Sequence, residues 1–240
     1  TNTSYLDVNE IAAATKRPED VIGLHFFSRA NVMKLLEIVQ ADKTQEDVLA
    51  TSMAMARKIQ KVPVMARVCF GFIGNRMLRQ YVREAQLCMI QGGSPEQIDT
   101  VLQTFGMAMG PLAVGDLAGL DIGYKARQGL TDTEKGAPET YKIADTLVEM
   151  GRLGQKSGAG YYQYDPQTRR RMSDPAVMDV IIQVADELNI TRRELGEVEI
   201  LNRHLFALIN EGMKILEEGI AQRPSDIDVV YVFGYGFPSH

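Results

Sequence analysis

Short apolar runs bounded by polar and turn-forming residues open this chain, and long amphipathic stretches follow them. Gly23-Leu-His-Phe-Phe27 and Leu35-Leu-Glu-Ile-Val39 are each too short for a helix and read as strands. Residues 8–14 carry a short helical pattern before them. After them, Thr44-Gln-Glu-Asp47 opens a helix whose apolar positions Val48, Met55 and Ile59 recur at helical spacing, with Lys58 and Lys61 suiting its last turn. Val62-Pro-Val-Met65 is expected as a strand at an edge or a start, because proline cannot donate to a ladder. Strand–helix–strand alternation of this kind builds an α/β sheet.

From Cys69 onward the pattern turns helical. Residues 75–91 set Met77, Leu78, Tyr81, Val82, Ala85 and Met89 on one stripe, and Gly92-Gly93 stops it. Ser94-Pro95-Glu96 places an N-cap serine before proline at the first helical position, which predicts a helix to about residue 104. Residues 139–149 are expected to form another. The glycine-rich stretch 151–164 predicts a turn leading to a strand-like tail, and the charged, proline-flanked segment 165–175 reads as a linker. Helices are expected around 176–188 and 196–220. An echo runs through this region. Asn75-Arg76-x-Leu78, with Glu84 and Gly92, recurs at an offset of 127 as Asn202-Arg203-x-Leu205, with Glu211 and Gly219. Pro95, Ile98 and Asp99 recur at an offset of 129 as Pro224, Ile227 and Asp228. A duplicated helical unit, its second copy incomplete, is the expectation.

Composition narrows the function classes. A chain of 240 residues with 45% hydrophobic positions is ordinary for a globular protein of one large or two small domains. A net charge of -5 argues against nucleic acid as the main partner. Cys69 and Cys88, both in apolar surroundings, suggest a reducing compartment and no disulfide framework. Neither a membrane span nor a secretory leader is expected from the hydropathy pattern. The start at Thr1 and the stop after an apolar segment suggest a fragment cut at both ends.

The two opening strands bring chemistry together. If they pair antiparallel about Asn31, facing positions have numbers summing to 62, and His25 falls opposite Glu37. Directly opposed Cβ atoms lie ~5 Å apart, within reach of a carboxylate–imidazole hydrogen bond. Such a carboxylate orients the ring and fixes its tautomer, as a general base requires; the plainer reading is a satisfied histidine beside a rim glutamate. Asn75, in Phe70-Gly-Phe-Ile-Gly-Asn75, could donate its amide to a carbonyl oxygen or simply cap a helix, and Asn202 matches it without the glycines. Thr1-Asn-Thr-Ser4 suits a strand end inside a site or a solvated turn. Gly154-Gln-Lys-Ser-Gly158 lacks the glycine before lysine and the following helix that a phosphate loop needs, so Lys156 is at most a single cation for a ligand. No His/Cys/Asp cluster has metal-ligand spacing, and His204 and His240 have no nameable partner.

Five segments together resemble the L-3-hydroxyacyl-CoA dehydrogenase family, in particular the dehydrogenase part of its multifunctional β-oxidation members. They are Thr1–Ser4; His25-Phe-Phe-Ser28 with Met33-Lys-Leu-Leu-Glu-Ile-Val39; Gly71-Phe-Ile-Gly-Asn-Arg-Met77; Met109-Gly-Pro111 with Asp116-Leu-Ala-Gly-Leu-Asp121; and Gly154-Gln-Lys-Ser-Gly-Ala-Gly-Tyr-Tyr162. The tandem copy ending in Gly234-Tyr-Gly-Phe-Pro238 is similar to the long members. The implied fold is α/β then all-α: the end of a Rossmann-type NAD-binding domain (1–67), a helical C-terminal domain (68–165), a linker and helix (166–194) and a truncated second copy (195–240). The resemblance implies NAD-dependent oxidation of (S)-3-hydroxyacyl-CoA to 3-ketoacyl-CoA. His25 would be the base and Glu37 its orienting partner. Ser4 and Asn75 would lie on the reacting oxygen or thioester, and Ser28, Lys156 and again Ser4 on the cofactor. It also implies an acyl-CoA partner, a hydratase/isomerase domain upstream, pairing of subunits through the helical domains, and a bacterial cytoplasmic or peroxisomal setting. The family's Gly-x-Gly-x-x-Gly phosphate loop is not within these residues, so weak NAD binding and weak or no turnover are expected of them alone. Arg29 stands where proline is common after His-Phe-Phe-Ser. Two other classes remain open: a non-catalytic dimerisation or structural module of this fold, and a dehydrogenase of sugar acids or other β-hydroxy acids.

Overall fold

The structure is a computed structural model that describes residues 1–239, residue 134 by its backbone alone. The chain runs through α1 (Val8–Ala13), β1 (Gly23–Phe26), β2 (Leu35–Gln40), α2 (Glu46–Lys58), β3 (Val62–Arg67), α3 (Gly74–Gln91), α4 (Pro95–Phe105), α5 (Pro111–Ala118), α6 (Leu120–Gln128), α7 (Asp132–Lys135) and α8 (Lys142–Glu149). It continues through β4 (Gln163–Tyr164), β5 (Arg171–Met172), α9 (Pro175–Glu187), α10 (Glu197–Glu217) and α11 (Pro224–Tyr235). By packing it divides into two units. One is Thr1–Arg79 with the segment from Leu208 on; the other is Gln80–Ala207.

In the first unit, β1 pairs antiparallel with β2, and β2 pairs parallel with β3. The parallel pair needs a crossover, which α2 supplies, with Glu46 and Asp47 in its first turn and Arg57 and Lys58 in its last. Leu36, Ile38 and Ala56 form the buried centre, with Leu24, Phe26, Leu49 and Met53 packed on it. Leu35 to Val39 are all buried, so β2 is a nearly continuous apolar run that contains one charge, Glu37. On the other side α11 packs on β2 and β3. It comes close because residue 234 is glycine: a Cβ there would lie 2.6 Å from Leu35 Cδ2.

Two buried aspartates organise the second unit. Asp99 of α4 accepts from the backbone N–H groups of Leu112 and Ala113 at the start of α5, both at 3.0 Å, and from the Tyr162 hydroxyl at 2.8 Å. Asp116 of α5 accepts from the N–H groups of Tyr161 (2.9 Å) and Tyr162 (3.1 Å) and from the Tyr164 hydroxyl (2.9 Å). Burial pushes both carboxyls up, Asp116 to about 6. Gly154 and Gly160 leave the space these contacts need, since a Cβ at either would overlap Asp116.

Two expectations about elements need correction. Segment 165–175 is not a loose linker: it turns through hydrogen bonds to Asp165 and returns as β5 against β4, with Arg171 over the Tyr162 ring and paired to Asp99. The helix expected over 139–149 is broken at Tyr141, where φ is -149°, into a single turn and α8. Between residues 105 and 138, for which the sequence pattern offers no element, α5, α6 and α7 form.

Candidate active site

The site starts from strand register. Gly23 faces Val39, Leu24 faces Ile38 and His25 faces Glu37, as the pairing about Asn31 predicts. Both side chains are buried, and His25 Nδ1 lies 2.7 Å from Glu37 Oε2. A carboxylate only accepts, so Nδ1 carries the proton and donates. The other nitrogen, Nε2, therefore presents a lone pair, and the Ser4 hydroxyl lies 2.9 Å from it. Phe27 and Phe72 wall the ring, with centroids 4.7 and 5.6 Å away.

A fully buried carboxylate needs further partners to be tolerated. Glu37 Oε1 has two: the backbone N–H groups of Ile73 (3.1 Å) and Gly74 (2.9 Å), at the start of α3, where the helix dipole also favours negative charge. Strand β2 and helix α3 thus clamp Glu37 from both ends, and the rim-glutamate reading fails.

The same helix start carries Asn75. Its Oδ1 accepts no backbone N–H; it takes the Tyr235 hydroxyl at 2.8 Å, so Asn75 is not acting as an N-cap. Burial, and then the Glu37 charge, push the Tyr235 hydroxyl well above the usual tyrosine range, so it stays a donor. Asn202, its echo, is an exposed residue within α10.

Ser4 is set by its neighbours: Thr1 accepts the Leu24 N–H at 2.7 Å and Asn2 Oδ1 accepts the Phe26 N–H at 2.8 Å, which lays this segment along β1. Ser28 is exposed in the turn after β1. Arg29, next to it, has φ +61°, a conformation closed to proline, so the substitution noted in the sequence carries its own turn geometry. Lys156 belongs to the second unit, where it pairs with Asp121. That pairing, with Lys125 adding to it, holds the Asp121 carboxyl down at about 2. The structure therefore joins His25, Glu37 and Ser4 directly and ties Asn75 to them through α3. Tyr235 is the residue that sequence reasoning missed; its signal was an aromatic residue between Gly234 and Gly236, read only as part of an echo. Among the described residues no group of His, Cys, Asp or Glu could hold a metal, and no helix is long and apolar enough to cross a membrane.

Comparisons with known proteins converge. Residues 1–69 match the family model described as 3-hydroxyacyl-CoA dehydrogenase, NAD binding domain, and residues 71–164 match its C-terminal domain. The chain is 47% identical, over its whole length, to the peroxisomal bifunctional enzyme of Homo sapiens, covering 35% of that protein. It is 34% identical to the fatty acid oxidation complex subunit alpha of Pseudomonas savastanoi over 99% of the chain and 33% of the relative. It thus spans about a third of the length of these relatives. Among solved structures, the dehydrogenase part of multifunctional enzyme 1 from C. elegans superposes with TM-score 0.71 at 34% identity, covering all of this chain and 54% of that one. The 3-hydroxybutyryl-CoA dehydrogenase of Escherichia coli gives 0.77 at 25% identity, over 99% of this chain and 66% of that one. With two of the family's domain models matched in order and this site between β1, β2 and α3, the chain belongs to the 3-hydroxyacyl-CoA dehydrogenase family.

Proposed function

We propose that these residues are part of an NAD-dependent dehydrogenase that oxidises (S)-3-hydroxyacyl-CoA to 3-ketoacyl-CoA in fatty-acid β-oxidation. The observation that carries the reading is the buried relay Glu37–His25–Ser4, with its single available lone pair at His25 Nε2. There His25 takes the proton of the substrate 3-hydroxyl. Glu37 holds the ring and balances the imidazolium that forms, a role its two backbone donors prepare it for. Ser4, already within hydrogen-bond reach of Nε2, shares the reacting oxygen, and Asn75 offers its amide N–H groups to an oxygen where charge develops.

NAD, when bound, accepts the hydride that leaves C3. Ser28, its hydroxyl exposed beside β1, and Ser4, at Nε2, would hold its reacting end, whereas Lys156 lies in the other unit with its ammonium paired to Asp121. The name bifunctional in the human relative favours a further activity, such as a hydratase/isomerase, outside these residues, and its name favours a peroxisomal setting, with a bacterial cytoplasmic one the alternative for a chain also similar to a Pseudomonas protein. The full-length protein, given (S)-3-hydroxybutyryl-CoA and NAD, is expected to produce NADH. Binding of both ligands without NADH would instead point to a non-catalytic relative.

A further inference from the structure

Tyr235 stands out because it lies more than 150 residues from Asn75 in sequence, on the echo of α4, and yet is Asn75's hydrogen-bond partner. We propose that Tyr235 is a positioning residue for the reaction: its hydroxyl pins Asn75 Oδ1 and so turns the amide N–H groups toward the substrate. The inference rests on the dehydrogenase reading above and deepens it.

A carboxamide has its acceptor and its donors at opposite ends, so fixing one end decides which is presented at the other. With Oδ1 occupied by the Tyr235 hydroxyl at 2.8 Å, the free end of Asn75 is a donor, as an oxygen gaining negative charge requires. The tyrosine is itself held. Its ring stacks on Tyr231 at 5.1 Å and meets Phe27 edge-on at 5.6 Å. Phe27 is the same ring that packs on His25, so one aromatic wall sets both the base and the pin. Two glycines make room. A Cβ at Gly74 would lie 2.7 Å from Tyr235 Cε2 and 2.9 Å from its hydroxyl, and Gly234 lets α11 settle on Leu35. A phenylalanine would fill the same space; the hydroxyl is what Asn75 uses.

The test is a double-mutant cycle of Y235F and N75A in the full-length protein, read by NADH production from (S)-3-hydroxybutyryl-CoA. Y235F keeps the ring, so the fold is expected to survive. The expected result is a kcat ~10-fold lower with KM within ~2-fold, and no further loss when Y235F is added to N75A, since misorienting a group by ~1 Å can cost up to 100-fold. A kcat within ~2-fold of the unaltered protein, or the same fold-loss on both backgrounds, overturns the positioning role. Melting temperatures of the same four proteins report the contact without turnover. Non-additive shifts support the hydrogen bond, and additive ones overturn it. Failure of the unaltered protein to make NADH overturns the dehydrogenase reading itself, and the melting cycle still decides the contact.

Discussion

Glu37 is where burial and charge meet most sharply. It sits at zero exposure in the central strand and survives there on three hydrogen bonds, two from backbone groups that no side-chain replacement can move. Glu37→Gln keeps the shape but sets an amide NH₂ against one of these donors. Full-length Glu37→Gln is therefore expected to lose ~100-fold in kcat and about 1–3 kcal/mol in stability. A kcat within a few-fold of the unaltered protein would show that the carboxylate does not orient His25. Arg29 gives a second residue-scale prediction. At φ +61°, Arg29→Pro cannot be accommodated without rebuilding the turn, at a cost of about 1–3 kcal/mol, whereas Arg29→Gly is expected to be neutral or mildly stabilising in a thermal melt. The His25–Glu37 pair was legible in the sequence because strand pairing is a matter of counting. The donors at Ile73 and Gly74 were not, because they depend on where α3 begins relative to β2.

At the scale of elements, the sequence showed what local pattern can show. The amphipathic stripe of α3 and the Ser94-Pro95 start of α4 were both readable, and Ser94 Oγ does accept the Gln97 N–H at 3.1 Å. Helices α5 to α7 were not, because their stretch is rich in glycine and its order comes from elsewhere. Asp99 holds the first turn of α5, and Asp116 ties α5 to the loop before β4. The segment Gly154–Tyr162, part of the family resemblance, owes its glycines to this knot. Asp116→Ala leaves two backbone N–H groups and one hydroxyl without their acceptor. It is expected to lower stability by about 2–4 kcal/mol in denaturant titration. If Asp116→Ala unfolds at the same midpoint as the unaltered chain, the aspartate is not the tie described here.

At the scale of the whole molecule, the sequence echo has a counterpart in reciprocal ion pairs. In the first unit Arg76 binds Glu211 at 2.6 Å and Glu218 through both terminal nitrogens, at 2.5 and 2.8 Å. In the second, Arg203 binds Glu84 at 3.1 Å and Gln91 at 2.8 Å. Adding 127 to each number of the second trio's carboxylate and amide partners gives those of the first, the pattern expected of two related copies packed on each other's equivalents. The echo was visible in sequence; the exchange of partners was not, because it is set by packing rather than by order along the chain. His204, which stands where the first copy has Met77, is buried against Tyr81 and donates its Nδ1–H to Ile200 O, 2.7 Å away. Burial, and then the Arg203 charge, hold it neutral, down to about 4. Above pH 6.5 both folded and unfolded chains leave this histidine neutral and its full contribution is present. As pH falls toward 4 the unfolded chain takes up a proton that the folded one refuses, so roughly 3 kcal/mol is lost across that window. His204→Met is expected to flatten that part of the stability–pH curve, and an unchanged slope would locate the sensitivity elsewhere.

The reading of the molecule as a dehydrogenase turns on one nitrogen. Steady-state NADH production by full-length His25→Gln, which keeps a polar side chain at the site, tests it most directly. A general base contributes ~10²–10⁴-fold, so kcat is predicted to fall by at least ~100-fold with the fold intact. A kcat within ~3-fold of the unaltered protein would contradict the account.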